Sequence, residues 1–257
     1  MKPVPFNLEV NKFNVLKVKD ESLELESILN DVKGAVCVQG MPGIANVGKA
    51  VVEFLIEYNN AKRVFQIHFS DFPSHVSVDD AGHVNALKSE VYFYRDERAG
   101  GDFFLLTGDA QPTSNIGVNV LSKYIANLLH ELNVKLVVSL GAMPTEKLSA
   151  KPRVFAAVTS IELLKKYGNL PGVEVLREGV VIGMNGLVPC IASSLYGING
   201  LILLSETLGI FEKDARASYT LAKILRDSFK LNINLEEFKS KIGLTNGQDG
   251  EHLGYLS

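Results

Sequence analysis

The chain lacks several features that would assign it to a specialised class of protein. Its 257 residues include 26 Lys and Arg against 29 Asp and Glu, so the basic excess of a nucleic-acid-binding protein is missing. No apolar run approaches the roughly 20 residues that a membrane helix needs. The N-terminal stretch MKPVPFNLEV has no apolar core of the kind found in signal peptides. We therefore expect a protein that binds neither nucleic acid nor membrane.

Cysteine is scarce, with only Cys37 and Cys190 in the chain. Cys37 lies inside the apolar run 35–38, and Cys190 follows Val188 and Pro189 in a stretch of small residues. Two isolated cysteines with apolar neighbours indicate buried thiols and not a disulfide framework. A reducing cytoplasm is the expected location. A chain of this length buries roughly 70% of its unfolded surface, so it needs neither a disulfide nor a metal to fold.

Linkers rich in Pro, Gly or Ser are also missing, and apolar runs of strand length alternate with amphipathic helical patterns. This alternation is typical of a mostly parallel sheet with helices on its faces. The predicted strands are 15–18, 35–39, 64–69, 103–107, 135–140, 154–159, 179–182 and 201–205. The stretch 86–95 is predicted to be a half-exposed antiparallel strand near an edge. We expect a single α/β domain over residues 1–243 and a mobile tail over 244–257.

Four helices have recognisable start signals. Apolar stripes at helical spacing follow Asn46, a plausible N-cap, then the polar cluster 113–115, and then Asp214. Asn234 resembles the first residue of a capping box, and the short helix after it should end at Gly243.

Glycine follows several of the predicted strands, at Gly40, Gly108, Gly141 and Gly183. If the strands are parallel, these glycines line one edge of the sheet, where open α/β sheets usually bind ligands. Glycine also permits the positive φ angles of tight turns, which any α/β protein contains. Both interpretations stay open for the edge as a whole.

The stretch Gly43 to Lys49 partly matches a phosphate-binding loop. It reads G-x-x-x-x-G-K, but Ala50 occupies the position of the Ser or Thr that ligates magnesium. The helical stripe begins at Val47, which places Gly48 inside the first turn of a helix. Glycine there costs about 1 kcal/mol relative to alanine. We expect Gly48 to be kept for close packing against a neighbouring strand or subunit, with no chemistry attached.

Candidate catalytic or metal-binding residues do not form a complete motif. The residues considered are His68, His75, His83, Asp71, Asp79, Asp80, Asp109 and Glu206. The spacing of His75, Asp79, Asp80 and His83 matches no standard zinc site, and an exposed polar loop is the preferred interpretation. Asp109 and Glu206 follow strands at the glycine edge, where a carboxylate acts as a general base, caps a helix or pairs with a cation. No G-x-S-x-G is present. We predict no catalytic residue, no cofactor and no metal.

Two motifs give the chain a family resemblance. Gly40-x-Pro42-Gly43-x-x-x-Val47-Gly48 follows a strand and opens a helix. Glu206-Thr207 ends a later strand, and Asp214-x-x-Ala217 starts the next helix. Their order and spacing resemble those of the proteasome assembly chaperone 2 family, as a prokaryotic, archaeal-type member, over about residues 36–225.

The resemblance implies a three-layer α/β/α sandwich similar to the fold of purine nucleoside phosphorylases. It also implies a homo-oligomer that binds proteasome α-type subunits or related chaperone subunits. The alternative is a nucleoside- or nucleotide-handling enzyme built on the same fold. Family members can dock through a C-terminal hydrophobic-Tyr-any tripeptide. Here the possible docking tail, Tyr255, Leu256 and Ser257, places the tyrosine third from the end with Gly254 before it, so a frayed tail is the competing interpretation.

Overall fold

The computed structural model describes residues 9–10, 15–19, 29–32, 34–96, 100–147, 149 and 151–244. Its strands are β1 (Glu9–Val10), β2 (Val15–Lys19), β3 (Ala35–Gln39), β4 (Lys62–Phe69), β5 (Val76–Val78), β6 (Val84–Ala86), β7 (Ser89–Asp96), β8 (Gly101–Gly108), β9 (Val134–Pro144), β10 (Val154–Val158), β11 (Val173–Val175) and β12 (Asn199–Thr207). Its helices are α1 (Val47–Tyr58), α2 (Asn115–Glu131), α3 (Ile161–Tyr167), α4 (Met184–Tyr196), α5 (Ala215–Phe229) and α6 (Leu235–Lys241). Within these residues no helix is long and apolar enough to cross a bilayer.

One large sheet forms the middle layer. Its strand order within the described residues is β1-β2-β4-β7-β8-β3-β9-β12-β10-β11. The central neighbours β8, β3, β9 and β12 are parallel, and β1 and β4 run in the same direction. The strands β2, β7, β10 and β11 run the opposite way. The predicted mostly parallel sheet is confirmed, with antiparallel pairs on both flanks.

Helices cover both faces of this sheet. Buried apolar residues of α2 and α4 form a core cluster on one face, and those of α1, α3, α5 and α6 form a second cluster on the other. Strands covered on both faces become near-continuous apolar runs, as in Leu201–Leu204 of β12, which are all buried. The three-layer α/β/α sandwich is therefore confirmed.

Helix caps follow the polar residues that the sequence offers. Ser114, Asp214 and Asn234 each accept a backbone N–H in the first turn of α2, α5 and α6. The short helix was expected to end at Gly243. That residue follows α6 closely and has a φ of +71°, in the left-handed region that favours glycine. Leu244 is buried and its N–H bonds to Lys239 O (3.0 Å), so ordered packing reaches residue 244. The domain boundary at residue 243 stays a prediction.

Three expectations about individual segments are wrong, and a fourth is right only in part. Residues 179–182 form no strand, and β11 lies a few residues earlier. The stretch 86–95 becomes β7, which is antiparallel but mostly buried between β4 and β8 and not near an edge. The stretch after Pro73 is exposed, as expected, but it contains the hairpin β5-β6 and is not a plain loop. Cys37 is buried, but Cys190 is exposed because it lies on the outer side of α4.

Candidate functional site

Both sequence motifs lie at the edge of the sheet where β3, β8, β9 and β12 end, which we call the carboxyl edge. The loop from Gly40 to Asn46 leaves this edge directly after β3. Gly40 N donates to Leu106 O (2.9 Å), and Thr107 Oγ1 donates to Gly40 O (2.9 Å). Both partners belong to β8, so the start of the loop is bound to the neighbouring strand.

Gly40 and Gly48 allow three backbone segments to pack directly on one another. A Cβ atom on Gly40 would lie 2.2 Å from the carbonyl oxygen of Gly48. A Cβ atom on Gly48 would lie 2.2 Å from the carbonyl oxygen of Leu140 in β9. No side chain fits at such distances, so α1 reaches the sheet only because both residues are glycine. Gly48 therefore packs against a neighbouring strand of its own chain, one of the two expected arrangements.

Side chains from two other segments hold the middle of the loop. Asn185 Oδ1 accepts Met41 N (3.1 Å), and Asn185 Nδ2 donates to Met41 O (3.3 Å). Gln111 Nε2 donates to Pro42 O (2.5 Å), and Gln111 Oε1 accepts Met184 N (2.8 Å). Gln39 Nε2 donates to Met184 O (2.9 Å). The loop is thus tied to the start of α4 and to the segment after β8.

The end of the loop has an unusual backbone. Ala45 and Asn46 have φ angles of +52° and +45°, in the left-handed region that residues other than glycine rarely adopt. The predicted N-cap at Asn46 is right in position, since α1 begins at Val47, but its side chain makes no capping bond. Asn46 Nδ2 donates to Glu212 O instead (3.3 Å). Holding two consecutive non-glycine residues in the left-handed region costs free energy, and such backbone strain is common where a loop serves a function.

The second motif packs against this strained turn. Thr207 Oγ1 donates to Asp214 Oδ2 (2.7 Å), while Asp214 Oδ1 accepts Ala217 N (3.0 Å) and caps α5. Asp214 N donates to Ala45 O (3.1 Å), and Ser218 Oγ donates to Val47 O (3.2 Å). The structure therefore brings Thr207, Asp214 and Ala217 together with the Gly40–Gly48 loop.

Glu206 points away from that junction and pairs with Arg153. Its side chain is 1% exposed, and it accepts Arg153 N (3.0 Å), Nε (2.9 Å) and Nη2 (2.5 Å) as well as Ser149 Oγ (3.0 Å). Burial raises the pKa of Glu206, but the hydrogen bonds from Arg153 and Ser149 outweigh this effect and leave the pKa below its ordinary value. Of the roles left open for Glu206, pairing with a cation is the one that the geometry favours.

The groups that a phosphate loop would present are used inside the protein. Lys49 Nζ donates to Gly108 O (2.7 Å) and lies 3.5 Å from Glu53 Oε1. Met41 N is bound to Asn185, and Asn46 N donates to Gly43 O (3.0 Å). The lysine of the partial G-x-x-x-x-G-K match is therefore bound to Gly108 O and does not stand free above the loop, as the lysine of a phosphate loop does.

The other candidate residues are dispersed. Asp109 accepts both Lys88 N (3.1 Å) and Lys88 Nζ (3.4 Å). Asp71 accepts Ser114 N (2.9 Å), and this backbone bond is the main reason that the pKa of Asp71 lies below its ordinary value. His68 Nδ1 lies 3.1 Å from Leu87 O.

Asp79 closes the turn of the β5-β6 hairpin. Its Oδ1 accepts Ala81 N (3.0 Å) and His83 N (2.9 Å), and its Oδ2 lies 3.2 Å from His83 Nδ1. The backbone bond from His83 is the main cause of the lowered pKa of Asp79. In the part of the chain that the structure describes, no three His, Cys, Asp or Glu side chains come close enough to hold a metal ion.

Three concave pockets of the described residues lie away from the Gly40–Asn46 loop. One of about 400 Å³ lies beside β2 and β4 and is lined mainly by apolar residues with His68 and His75. One of about 310 Å³ lies near Tyr94 and Asn232, and one of about 210 Å³ lies beside α5. The enzyme hypothesis expects a pocket with converging polar groups at the glycine edge. The first pocket lies at that edge, where β4 ends, but its lining is mainly apolar.

Sequence reasoning identified the backbone of this site better than its side chains. Gly40 and Gly108 do follow or end strands at the carboxyl edge, whereas Gly141 lies inside β9 and Gly183 precedes α4 without a strand. Asn185, Gln111 and Arg153 were missed, because nothing near them in sequence indicates their partners. Gln39 offered one signal, since it is the only polar residue in the apolar run of β3. Tyr255, Leu256 and Ser257 lie outside the described residues.

Comparison with known proteins gives a consistent result. The model of the PAC2 family matches residues 37–242, which contain the whole of both motifs. An uncharacterized protein of Methanocaldococcus jannaschii, MJ1210, is 28% identical over 225 residues, which cover 88% of this chain and 82% of that protein.

Solved structures agree with this match. Pyrococcus furiosus PbaB, described as an archaeal proteasome activator, has a TM-score of 0.78 at 27% identity and covers 89% of this chain and 94% of its own. Pyrococcus furiosus PbaA, described as an archaeal homolog of proteasome-assembly chaperone, has a TM-score of 0.71 at 24% identity, with coverages of 90% and 92%. At 24% identity, the likeness to PbaA shows a shared fold and nothing more.

Proposed function

The chain belongs to the PAC2 family, and we propose that it is a protein-binding homo-oligomer that associates with proteasome α-type subunits or a related partner, and not an enzyme. The observation that carries the proposal is the family match over residues 37–242. The likeness to PbaB, which is described as an archaeal proteasome activator, supports it. The cytoplasm is the place of action that goes with such partners.

The chemistry of the carboxyl edge supports a binding role. Glu206 is engaged by Arg153, Asp214 by Thr207 and the start of α5, and Lys49 by Gly108 O. An enzyme of the phosphorylase type would need some of these charges directed at a substrate. Here they fix loops to one another, which is what a preformed docking surface requires.

A pull-down tests the proposed partner. The full chain and a chain that ends at residue 244 are immobilised and offered proteasome α-type subunits, with an unrelated α/β protein of similar net charge as the control. We expect capture by the full chain and not by the control. Capture by both forms of the chain would place the contact on the domain, and loss on truncation would place it on residues 245–257. If neither form captures the subunits, the proposed partner is wrong.

A ligand screen tests the alternative of a nucleoside- or nucleotide-handling enzyme. Thermal unfolding is followed with nucleosides, ATP, inorganic phosphate and divalent metals, each added alone. A ligand that binds only the native state raises Tm, so a rise would reveal a bound ligand. For a protein that is not an enzyme of this kind, we expect no reproducible rise. A concentration-dependent rise with one ligand would favour the enzyme.

A further inference from the structure

Large apolar side chains are exposed mainly at one edge of the sheet. Among the described residues, all but two of the exposed large hydrophobic side chains belong to segments at the carboxyl edge. We call these the apolar rim: Ile44, Val76, Val78, Val84, Ile116, Val180, Ile182, Ile210 and Phe211. The two exceptions, Ile161 and Leu195, lie at the opposite edge, because β10 and α4 end there. Single exposed apolar residues are ordinary, but such segregation is not.

The rim is carried on loops that are bound to each other. A Cβ atom on Gly209 would lie 3.4 Å from Cγ2 of Ile44, so the loop that carries Ile210 and Phe211 touches the turn after β3. Gln111 joins that turn to the start of α4, directly after Ile182. Asp71 accepts Ser114 N and Oγ, which joins the segment before the hairpin to the first turn of α2 and to Ile116. The turn after β3 thus touches the loop after β12 and is bound to the start of α4, and the segment before the hairpin is bound to the start of α2.

The hairpin β5-β6 provides an independent sign that something covers the rim. Val76 pairs with Ala86, and Val78 pairs with Val84, so these four side chains share one face of the hairpin. Ser77 and Asn85 pair on the other face. Val76, Val78 and Val84 are 53%, 63% and 67% exposed. An amphipathic hairpin of two strands is at best marginally stable in water, and its apolar face is normally packed against another surface.

Size and charge indicate what covers the rim. Its nine residues are between 46% and 86% exposed, so together they offer a substantial part of the about 800 Å² that each partner buries in a stable complex. The charged residues beside it have both signs, with Glu212 and Lys213 next to Phe211, and Arg177 and Glu178 near Val180. A two-fold interface places the same patch on both subunits, so a patch with mixed charges suits it better than one with a single sign.

We propose that the apolar rim is the surface through which two copies of this chain associate. The inference rests on the proposed function in one respect, that the chain is a homo-oligomer, and it adds where the copies meet. The hairpin and the loops after β3 and β12 contribute the apolar centre, and the flanking charged residues form its polar border.

Charge substitutions in the rim test this inference. The variants Ile210→Asp, Phe211→Asp and Val78→Asp are compared with Ile161→Asp and Leu195→Asp, which place the same charge on equally exposed apolar sites at the opposite edge. Mass is measured by size-exclusion chromatography with light scattering across the micromolar range. We expect an oligomer for the unchanged chain and both controls, and a shift toward the 28.1 kDa monomer for the rim variants, with a dissociation constant raised at least about tenfold. Far-UV circular dichroism verifies that each variant is folded.

The outcomes separate this inference from the proposed function. An oligomer that persists in the rim variants overturns the inference and leaves the partner proposal intact. Rim variants that become monomers yet still capture α-type subunits support the inference and place the partner contact elsewhere. A wild-type chain that is monomeric at micromolar concentration overturns both the inference and the homo-oligomer part of the proposed function, and the pull-down then decides the partner part alone.

Discussion

Glu206 is the residue of the second motif whose environment most clearly defines its role. Its carboxylate is almost fully buried at the end of β12 and accepts four hydrogen bonds, three of them from Arg153. A buried carboxylate remains charged only when it is compensated in this way. The residue therefore fixes the segment before β10 to β12.

Removing Arg153 tests this role. Arg153→Ala leaves the buried charge of Glu206 without the side chain that pairs with it, and we expect the free energy of unfolding to fall by more than it does when an exposed ion pair is broken. Urea unfolding at pH 7 measures it. Arg226→Ala is the control, because Arg226 and Asp227 form a pair whose side chains are 40% and 50% exposed, worth at most about 1 kcal/mol. Equal losses in both variants would mean that Glu206 does not depend on Arg153.

The pH dependence of stability gives a second readout. Because the pKa of Glu206 is lower in the folded protein than its ordinary value, its contribution is complete above the ordinary value and is lost as the pH falls through the folded-state value. We expect the unchanged chain to lose stability as the pH falls below about 4.5, the ordinary value, and Glu206→Gln to lose less over the same range. A parallel loss in both proteins would contradict the assignment.

Among the elements, α1 depends most on a close approach to the sheet. Replacing a glycine inside a helix by alanine normally stabilises the folded protein by about 1 kcal/mol. At Gly48 the added Cβ would lie 2.2 Å from Leu140 O, a backbone atom that cannot move without disturbing β9. We therefore expect Gly48→Ala to destabilise the protein by about 2 to 3 kcal/mol.

The control for this prediction lies on the same helix. Ala50→Gly changes only helix propensity and should cost about 1 kcal/mol. Chemical denaturation of the two variants gives the comparison. A stabilising effect of Gly48→Ala would show that the contact between α1 and β9 is looser than described.

The caps of α5 and α6 allow a paired test of the junction between the two motifs. Asp214 is 6% exposed and accepts both Ala217 N and Thr207 Oγ1, whereas Asn234 is exposed and accepts only backbone N–H groups. Asn234→Ala should cost about 1 kcal/mol, as the loss of a cap does. Asp214→Ala should cost at least about 1 kcal/mol more, because the buried Thr207 hydroxyl also loses its acceptor. Thermal or urea unfolding measures both, and equal costs would contradict the added role of Asp214.

The strand predictions succeeded where the apolar run is buried in the folded protein and failed where it is exposed. The run at 35–39 became β3 without change because its residues are buried in the sheet. The predicted strand at 179–182 is absent because Val180 and Ile182 are 86% and 85% exposed, and an apolar run alone does not distinguish a buried strand from an exposed loop. The hairpin was missed although Asp79 and Gly82 are turn residues between alternating valines.

On the scale of the whole molecule, the sequence indicated which segments matter but not how they meet. Parallel strands ending in glycine predicted a common edge, and Gly40, Gly108 and both motifs do lie there. The bonds that assemble the edge join residues far apart in the chain, such as Asn185 with Met41 and Asp214 with Ala45. Side chains such as Asn185 and Gln111 bear no local signature of a distant partner, so only the folded structure identifies them.

The extent of the folded domain leads to a last prediction, made with two truncations. Phe238 of α6 is fully buried, with its ring centroid 4.7 Å from that of Phe54 in α1, and Leu235 is 6% exposed. A chain that ends at residue 232 loses these contacts and uncovers apolar surface of α1 and α5, so its free energy of unfolding should fall by at least about 4 kcal/mol. A chain that ends at residue 244 keeps them and should lie within about 0.5 kcal/mol of the full chain. Urea unfolding of all three proteins decides the matter, since a comparable loss in both truncations would mean that the domain extends beyond residue 244.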